Sequence, residues 1–284
     1  MRFIALTILL LSLYSLATQW QPPETVSGLD ISGLNLNSDN IIMYGAKWHD
    51  GYWRGDSCYY IWNGSQWVWG DWVQGDVNTT EYDDEPFITH DGQHIYFTRW
   101  LYDGLTIYVA DWDGSEFINS RALGPQINLG DNRYPSLTQD NLKLYYTTGS
   151  GSYFKIFEAT WNGSDWNAGV LMPDAVNSSG NRYNVTITPD GNEIYFTGAS
   201  PWNNRLAYSH KVGGVWQQWQ YCDYNINPLE STAPVSCPAF SYSDYANQYL
   251  YFESDVPGVH HFRSLRSPVS VEPASLGQIK AVYK

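Results

Sequence analysis

Several things are scarce in this chain, and each scarcity excludes something. Cysteine occurs only three times in 284 residues, as Cys58, Cys222 and Cys237. That is too few for a disulfide-built scaffold, and no CxxC or Cys/His spacing offers a zinc site. Lys and Arg number 15 against 29 Asp and Glu, a net charge of −14. Phosphate is held by clustered cations, so this balance argues against nucleic acid or anionic lipid as a partner and suits neutral or cationic ones. Beyond the first 17 residues no apolar stretch approaches the roughly 20 residues that a spanning helix needs.

The opening segment itself reads as a secretory signal. Arg2 supplies the positive start, Phe3 to Leu16 the apolar run, and Ser15-Leu16-Ala17 a small-x-small cleavage site. An exported protein, periplasmic or extracellular and without a membrane span once cleaved, is expected. Export permits a disulfide; Cys222 and Cys237 enclose 14 residues and are the expected pair, leaving Cys58 free. A bond from Cys58 to either of them is the alternative if the two ends of the chain meet.

Catalytic signatures are scarce too. There is no G-x-S-x-G elbow, no HExxH among the six histidines and no cofactor fingerprint. Asp111-Trp112-Asp113-Gly114 and Asp83-Asp84-Glu85 are acidic enough to suggest calcium, but neither continues into a full ligand loop. No metal and no cofactor is therefore expected.

What the chain has in quantity is aromatic residues, 17% of the total with 14 Trp and 23 Tyr, and a repeat. Four turns of similar form end Gly64-Ser65-Gln66-Trp67, Gly114-Ser115-Glu116-Phe117, Gly163-Ser164-Asp165-Trp166 and Gly213-Gly214-Val215-Trp216, stepping by 50, 49 and 50 residues. Asn78, Asn128, Asn177 and Asn227 keep the same step. An Asp five residues before a strand Tyr recurs at steps of 52, 49 and 50: Asp39/Tyr44, Asp91/Tyr96, Asp140/Tyr145 and Asp190/Tyr195. A period of this size with several strands per unit points to propeller blades.

The second unit shows the pattern. Pro86 to His90, His94 to Thr98, Thr106 to Ala110 and Ser115 to Arg121 read as four strands, with tight turns at Asp91-Gly92 and Asp113-Gly114. The fifth unit has three strands only, and Trp20 to Val26 precedes the first unit where a fourth would stand. The expectation is an all-β, five-bladed β-propeller of four-stranded blades over residues 18–270, closed by an N-terminal strand, between a signal at 1–17 and a tail at 271–284. Closure removes the exposed strand edges of an open array.

The runs "YPSLTQDNLKLYYTTG…KIFEATWNGSDW" and "VNSSGNRYNVTITPDGNEIYFTG" resemble the propeller repeat of TolB-type (WD40-like) proteins. The likeness covers about Gly28 to Ser264 and is best in units two to four. It implies a propeller of the exported bacterial type. It implies no activity, because such repeats mostly scaffold binding.

Loops between blades and between second and third strands should share one face around the channel mouth. They carry Trp48, Trp100 and Trp202, the acids Asp84 and Glu85, and an Asn-Arg-Tyr triplet twice, with Arg133-Tyr134 and Arg182-Tyr183. Flat rings beside planar donors suit a sugar or an extended peptide. The sequence thus points to a monomeric binding or scaffold module for a protein or carbohydrate ligand of the cell envelope. A five-bladed glycoside hydrolase of the arabinanase or xylosidase type is the alternative. It needs three inner-rim acids, for which only Asp30, Asp84 and Glu85 stand as candidates.

Overall fold

The structure is a computed structural model and describes residues 20–48, 55–150, 153–200, 203–223, 225–227, 235–240, 248–256 and 259–266. The expected signal segment 1–17, the expected tail 271–284 and Trp202 lie outside the described residues. Five antiparallel sheets follow one another along the chain. Blade 1 is β2 (Ser32–Leu36), β3 (Ile42–Trp48), β4 (Gly55–Trp62) and β5 (Trp67–Trp72). Blade 2 is β6 (Tyr82–Ile88), β7 (His94–Leu101), β8 (Gly104–Trp112) and β9 (Phe117–Ala122). Blade 3 is β10 (Asp131–Leu137), β11 (Lys143–Ser150), β12 (Tyr153–Thr160) and β13 (Val170–Leu171).

Blade 4 is β14 (Asn181–Ile187), β15 (Glu193–Ser200) and β16 (Asn203–Val212), with an outer strand broken into β17 (Val215–Trp216) and β18 (Gln220–Tyr221). Blade 5 takes β19 (Val235–Phe240), β20 (Tyr249–Val256) and β21 (Val259–Leu265) from the end of the chain and β1 (Glu24–Thr25) from its beginning. The inner strands β2, β6, β10, β14 and β19 each touch the next, and β19 touches β2, so the ring is closed. This is the expected five-bladed propeller. Among the described residues the one helix is a single turn, Asp174–Asn177.

The middle strands are buried on both faces because each sheet is sandwiched between two others; β7, His94–Leu101, is buried from Ile95 through Arg99. Five apolar clusters fill the five blade boundaries. Closure is anchored by Trp20, which is fully buried between Tyr195 and Phe240 with the Arg266 guanidinium over its ring at 4.6 Å. Its backbone bridges to Arg266, whose guanidinium in turn holds Glu193.

The repeat markers are structural devices. Each phased Asn zips a third strand to the segment that follows its own blade. Asn177 accepts from the Ile156 N–H at 3.0 Å and donates to the carbonyls of Ile156 and Met172 at 2.8 and 3.0 Å. Asn78, Asn128 and Asn227 repeat the arrangement at Ser57, Ile107 and Leu206. The phased Asp closes the turn between first and second strands: Thr89, Thr138 and Thr188 donate to Asp91, Asp140 and Asp190 at 2.6–2.7 Å. Cys222 carries a free thiol buried among Trp20, Leu206 and Phe240, and the side chain of its expected partner Cys237 lies outside the described residues. Cys58 is likewise free and buried.

Candidate functional site at the channel mouth

The inner strands converge on a narrow channel of about 40 Å³ lined by Gly33, Asn35, Glu85, Phe87, Tyr134 and Asn184, among others. Each inner strand slips register once against its neighbour, between Asp84 and Phe87 in blade 2 and between Arg133 and Ser136 in blade 3. At the slip the backbone turns left-handed, at Gly33 (φ 66°), Glu85 (57°), Tyr134 (55°) and Asn184 (51°). Only glycine takes that conformation freely, so Glu85 and Tyr134 are held there by their surroundings. A bulge of this kind bends a strand and re-aims its side chains.

At blade 2 the bulge presents two adjacent carboxylates with different fates. Glu85 is buried, and both of its oxygens are engaged. Thr98 Oγ1 donates at 2.7 Å and the Tyr134 N–H at 2.9 Å to Oε2, while Arg133 Nε donates at 3.0 Å to Oε1 alongside its own NH2 group. Asp84 is half-buried; among the described residues it forms no ion pair and accepts from the Glu85 N–H at 2.6 Å. Burial, and then the neighbouring Glu85 charge, push its carboxyl up to about 7. A third acid reaches this rim from the second strand of blade 5: the Gly33 N–H donates to Glu253 Oε1 at 3.0 Å. The candidate acids read from the sequence lie at or before first strands, and Glu253 adds one from a second strand. Asp30, the remaining candidate, is exposed and paired with Lys47.

The two Asn-Arg-Tyr triplets do not play equivalent parts. They lie 49 residues apart, whereas the left-handed residues Tyr134 and Asn184 lie 50 apart, so Arg133 corresponds to Tyr183 and Arg182 to Asn132. One residue of slip turns a strand side chain to the other face. Arg133 reaches Glu85 at the rim. Arg182 is instead 1% exposed, donates to the carbonyls of Val176, Asn181 and Ser178, and stacks on Phe196 and Trp219 at 4.8 and 4.7 Å. It is a packing residue, and the grouping of Arg182 with Arg133 as a second surface donor is corrected. Tyr183, half-buried, packs on Phe154 at 5.3 Å, and Tyr134 lies under the Arg133 guanidinium at 4.6 Å.

Beside the carboxylates lies an aromatic shelf. Trp48 ends β3 and Trp100 nears the end of β7, and they are 56% and 55% exposed. Tyr82, at the start of β6, stands between them, its ring centre 5.1 Å from Trp48 and 5.4 Å from Trp100. Tyr82 and Asp84 are two residues apart on one strand and so share a face. A groove of about 780 Å³ opens here, lined by Tyr82, Trp100, Tyr102, Glu81 and Asp103 among others, with Tyr102 fully exposed. Of the residues expected at the site, the structure brings Asp84, Glu85, Arg133 and Tyr134 together at the channel and gathers Trp48 and Trp100 around Tyr82, two residues before Asp84 on the same strand. It adds Tyr82, Thr98 and Glu253. A signal for Glu253 was present: it stands where the second strands of units two to four carry Thr98, Thr147 and Thr197.

No family model matches the sequence, and no curated protein matches it either. Solved structures do share its shape. A protein of unknown function from Dyadobacter fermentans superposes with a TM-score of 0.54 at 9% identity, over 89% of this chain and all of that one. A protein described as TolB from Agrobacterium tumefaciens does so at 0.51 and 13% identity, over 80% of this chain and 72% of that one. TolB from Acinetobacter baumannii scores 0.48 at 13% identity, and this chain spans only 55% of its length. At such identities the likeness is one of fold.

Proposed function

We propose that the protein is an exported recognition module of the cell envelope that holds a carbohydrate on the shelf formed by Trp48, Tyr82 and Trp100. The observation that carries this reading is the pair of indole rings, each more than half exposed, flanking Tyr82 in a row at the channel mouth. Exposed flat rings gain little for folding and much for stacking on the apolar face of a sugar. At the neighbouring bulge of the same strand, Arg133, Thr98 and the Tyr134 N–H already satisfy Glu85, so the strand that carries Tyr82 is held in place there. TolB-like proteins among the structural neighbours agree with a propeller as scaffold and say nothing about the ligand. A glycan array read with the wild type and with Trp48→Ala/Trp100→Ala tests the proposal; binding unchanged in the double variant would refute it.

A second reading, a glycoside hydrolase, is favoured by one observation: the half-buried Asp84 carboxyl with its pKa near 7, suited to proton transfer at neutral pH. Glu85 cannot be its nucleophile while Arg133, Thr98 and Tyr134 occupy both oxygens. Turnover of arabinan, xylan or aryl glycosides that is abolished by Asp84→Asn would establish this reading in place of the first.

A further inference from the structure

The charge around the shelf says which kind of sugar it should take, an inference that rests on the carbohydrate reading above. Among the described residues the cations near the shelf are already engaged. Arg133 is held by Glu85, Lys47 by Asp30, and Arg99 by the buried Asp83 at 2.5 Å, with its plane over Tyr108. The acids of the groove are not. Among the described residues Glu81 and Asp103 form no ion pair, although both line the same groove as Tyr82, Trp100 and Tyr102. Asp131, which accepts the Leu105 N–H at 3.1 Å, adds a third carboxylate beside the Gly104 turn that follows Asp103. Exposed aromatic faces rimmed by unpaired carboxylates favour a cationic ligand, since an ammonium gains both from the ring quadrupole and from the acids.

We propose that the ligand is a glycan bearing free amines, a glucosamine-type polymer, lying along Trp48, Tyr82 and Trp100 with its ammonium groups toward Glu81 and Asp103. Two features of the geometry select this class among cations. The ring centres of Trp48 and Trp100 lie 5.1 and 5.4 Å from Tyr82, one edge-on at 85° and one tilted at 50°, and the groove beside them is open and about 780 Å³, which suits an extended chain of units rather than one methylated ammonium in a closed cage. The backbone at Trp100 is paired on both sides, with Tyr82 and with Leu105, so an extended basic peptide finds no free strand edge to join there.

The test is calorimetric titration of the whole protein with three oligosaccharides of equal length and linkage: β-1,4-glucosamine, its N-acetylated form and the glucose form. A lysine oligomer is titrated alongside. The expected result is about tenfold tighter binding of the free-amine sugar, lost at high salt and lost in Glu81→Gln/Asp103→Asn, with the other two sugars indifferent to both changes. Equal affinity for all three sugars would overturn the amine inference and leave the carbohydrate reading standing. Tighter binding of the lysine oligomer than of any sugar would assign the groove to a basic peptide. Binding of none of the four would sink both readings.

Discussion

The Arg133 guanidinium of blade 3 crosses the blade boundary to the Glu85 carboxylate of blade 2, donating from Nε at 3.0 Å. Tyr134, the next residue, adds its backbone N–H to the same carboxylate at 2.9 Å. Glu85 holds a left-handed backbone at the bulge of its strand, as Tyr134 does at the bulge of the next. The two bulges are thus tied to each other by the side chain of one and the main chain of the other. This couples the shape of the channel mouth to the packing of blades 2 and 3.

Removing the guanidinium should therefore be expensive for the fold. Arg133→Met leaves a buried carboxylate with Thr98 and one N–H. Leaving one charge of a buried pair unpartnered costs roughly 3–5 kcal/mol, and the partial exposure of Arg133 brings the expected loss to about 2–4 kcal/mol. Glu85→Gln on the same background removes the stranded charge and should recover part of it. Urea unfolding of the single and double variants checks both points; a single variant within error of wild type would show that Glu85 is not dependent on Arg133.

The phased Asn residues make a second stability prediction. Asn177 is buried and makes three hydrogen bonds to main chain. Asn177→Ala strands the Ile156 N–H and the Met172 carbonyl, while the Ile156 carbonyl keeps the Met172 N–H, and an unmet buried group costs about 1–3 kcal/mol. A loss of at least about 2 kcal/mol is expected by denaturant unfolding. The equivalent change at the more accessible Asn128 should lose less, because water can reach the groups it leaves.

How much of this could be read from the sequence divides by physical cause. The turn and Asn markers depend on short-range hydrogen bonding, which repeats in sequence wherever it repeats in space. They therefore gave the five blades, and the missing strand of unit five gave the closure by Trp20. The site was legible only in part. Arg133 and Arg182 carry the same neighbours in sequence, but a bulge is set by backbone register and leaves no residue signature. One residue of phase separates a rim donor from a guanidinium stacked on Trp219. Glu253 was overlooked because it reaches the rim from a second strand.

Asp84 gives a pH dependence of definite sign. Its carboxyl has a pKa of about 7 in the folded protein, pushed up by burial and by Glu85, against about 4 in an unfolded chain. The folded state then binds more protons than the unfolded state between those values, so this group's contribution favours folding at low pH. It weakens as pH rises from about 4 to about 7, with a slope of at most about 1.4 kcal/mol per pH unit, less where solvent reaches the half-buried carboxyl. Asp84→Asn should remove that slope and be at least as stable as wild type at pH 8. Urea midpoints measured across this range, with the variant keeping the wild-type slope, would show that Asp84 titrates normally.

The shelf yields the prediction closest to function. Trp48 and Trp100 are 56% and 55% exposed, so truncating either removes little buried area and should move the unfolding midpoint only slightly. Both rings nevertheless contact Tyr82, Trp48 edge-on and Trp100 tilted, where they help fix its orientation. If sugar rings lie on them, Trp48→Ala or Trp100→Ala should weaken binding by roughly 1–3 kcal/mol, the range for an aromatic anchor. Losses in the double variant should fall short of additive, since each indole contacts Tyr82 and the two sites are coupled through it. The measurement is titration of each variant beside its thermal unfolding curve. Variants that unfold early without any selective loss of binding would make these indoles structural props and leave the groove without its anchors.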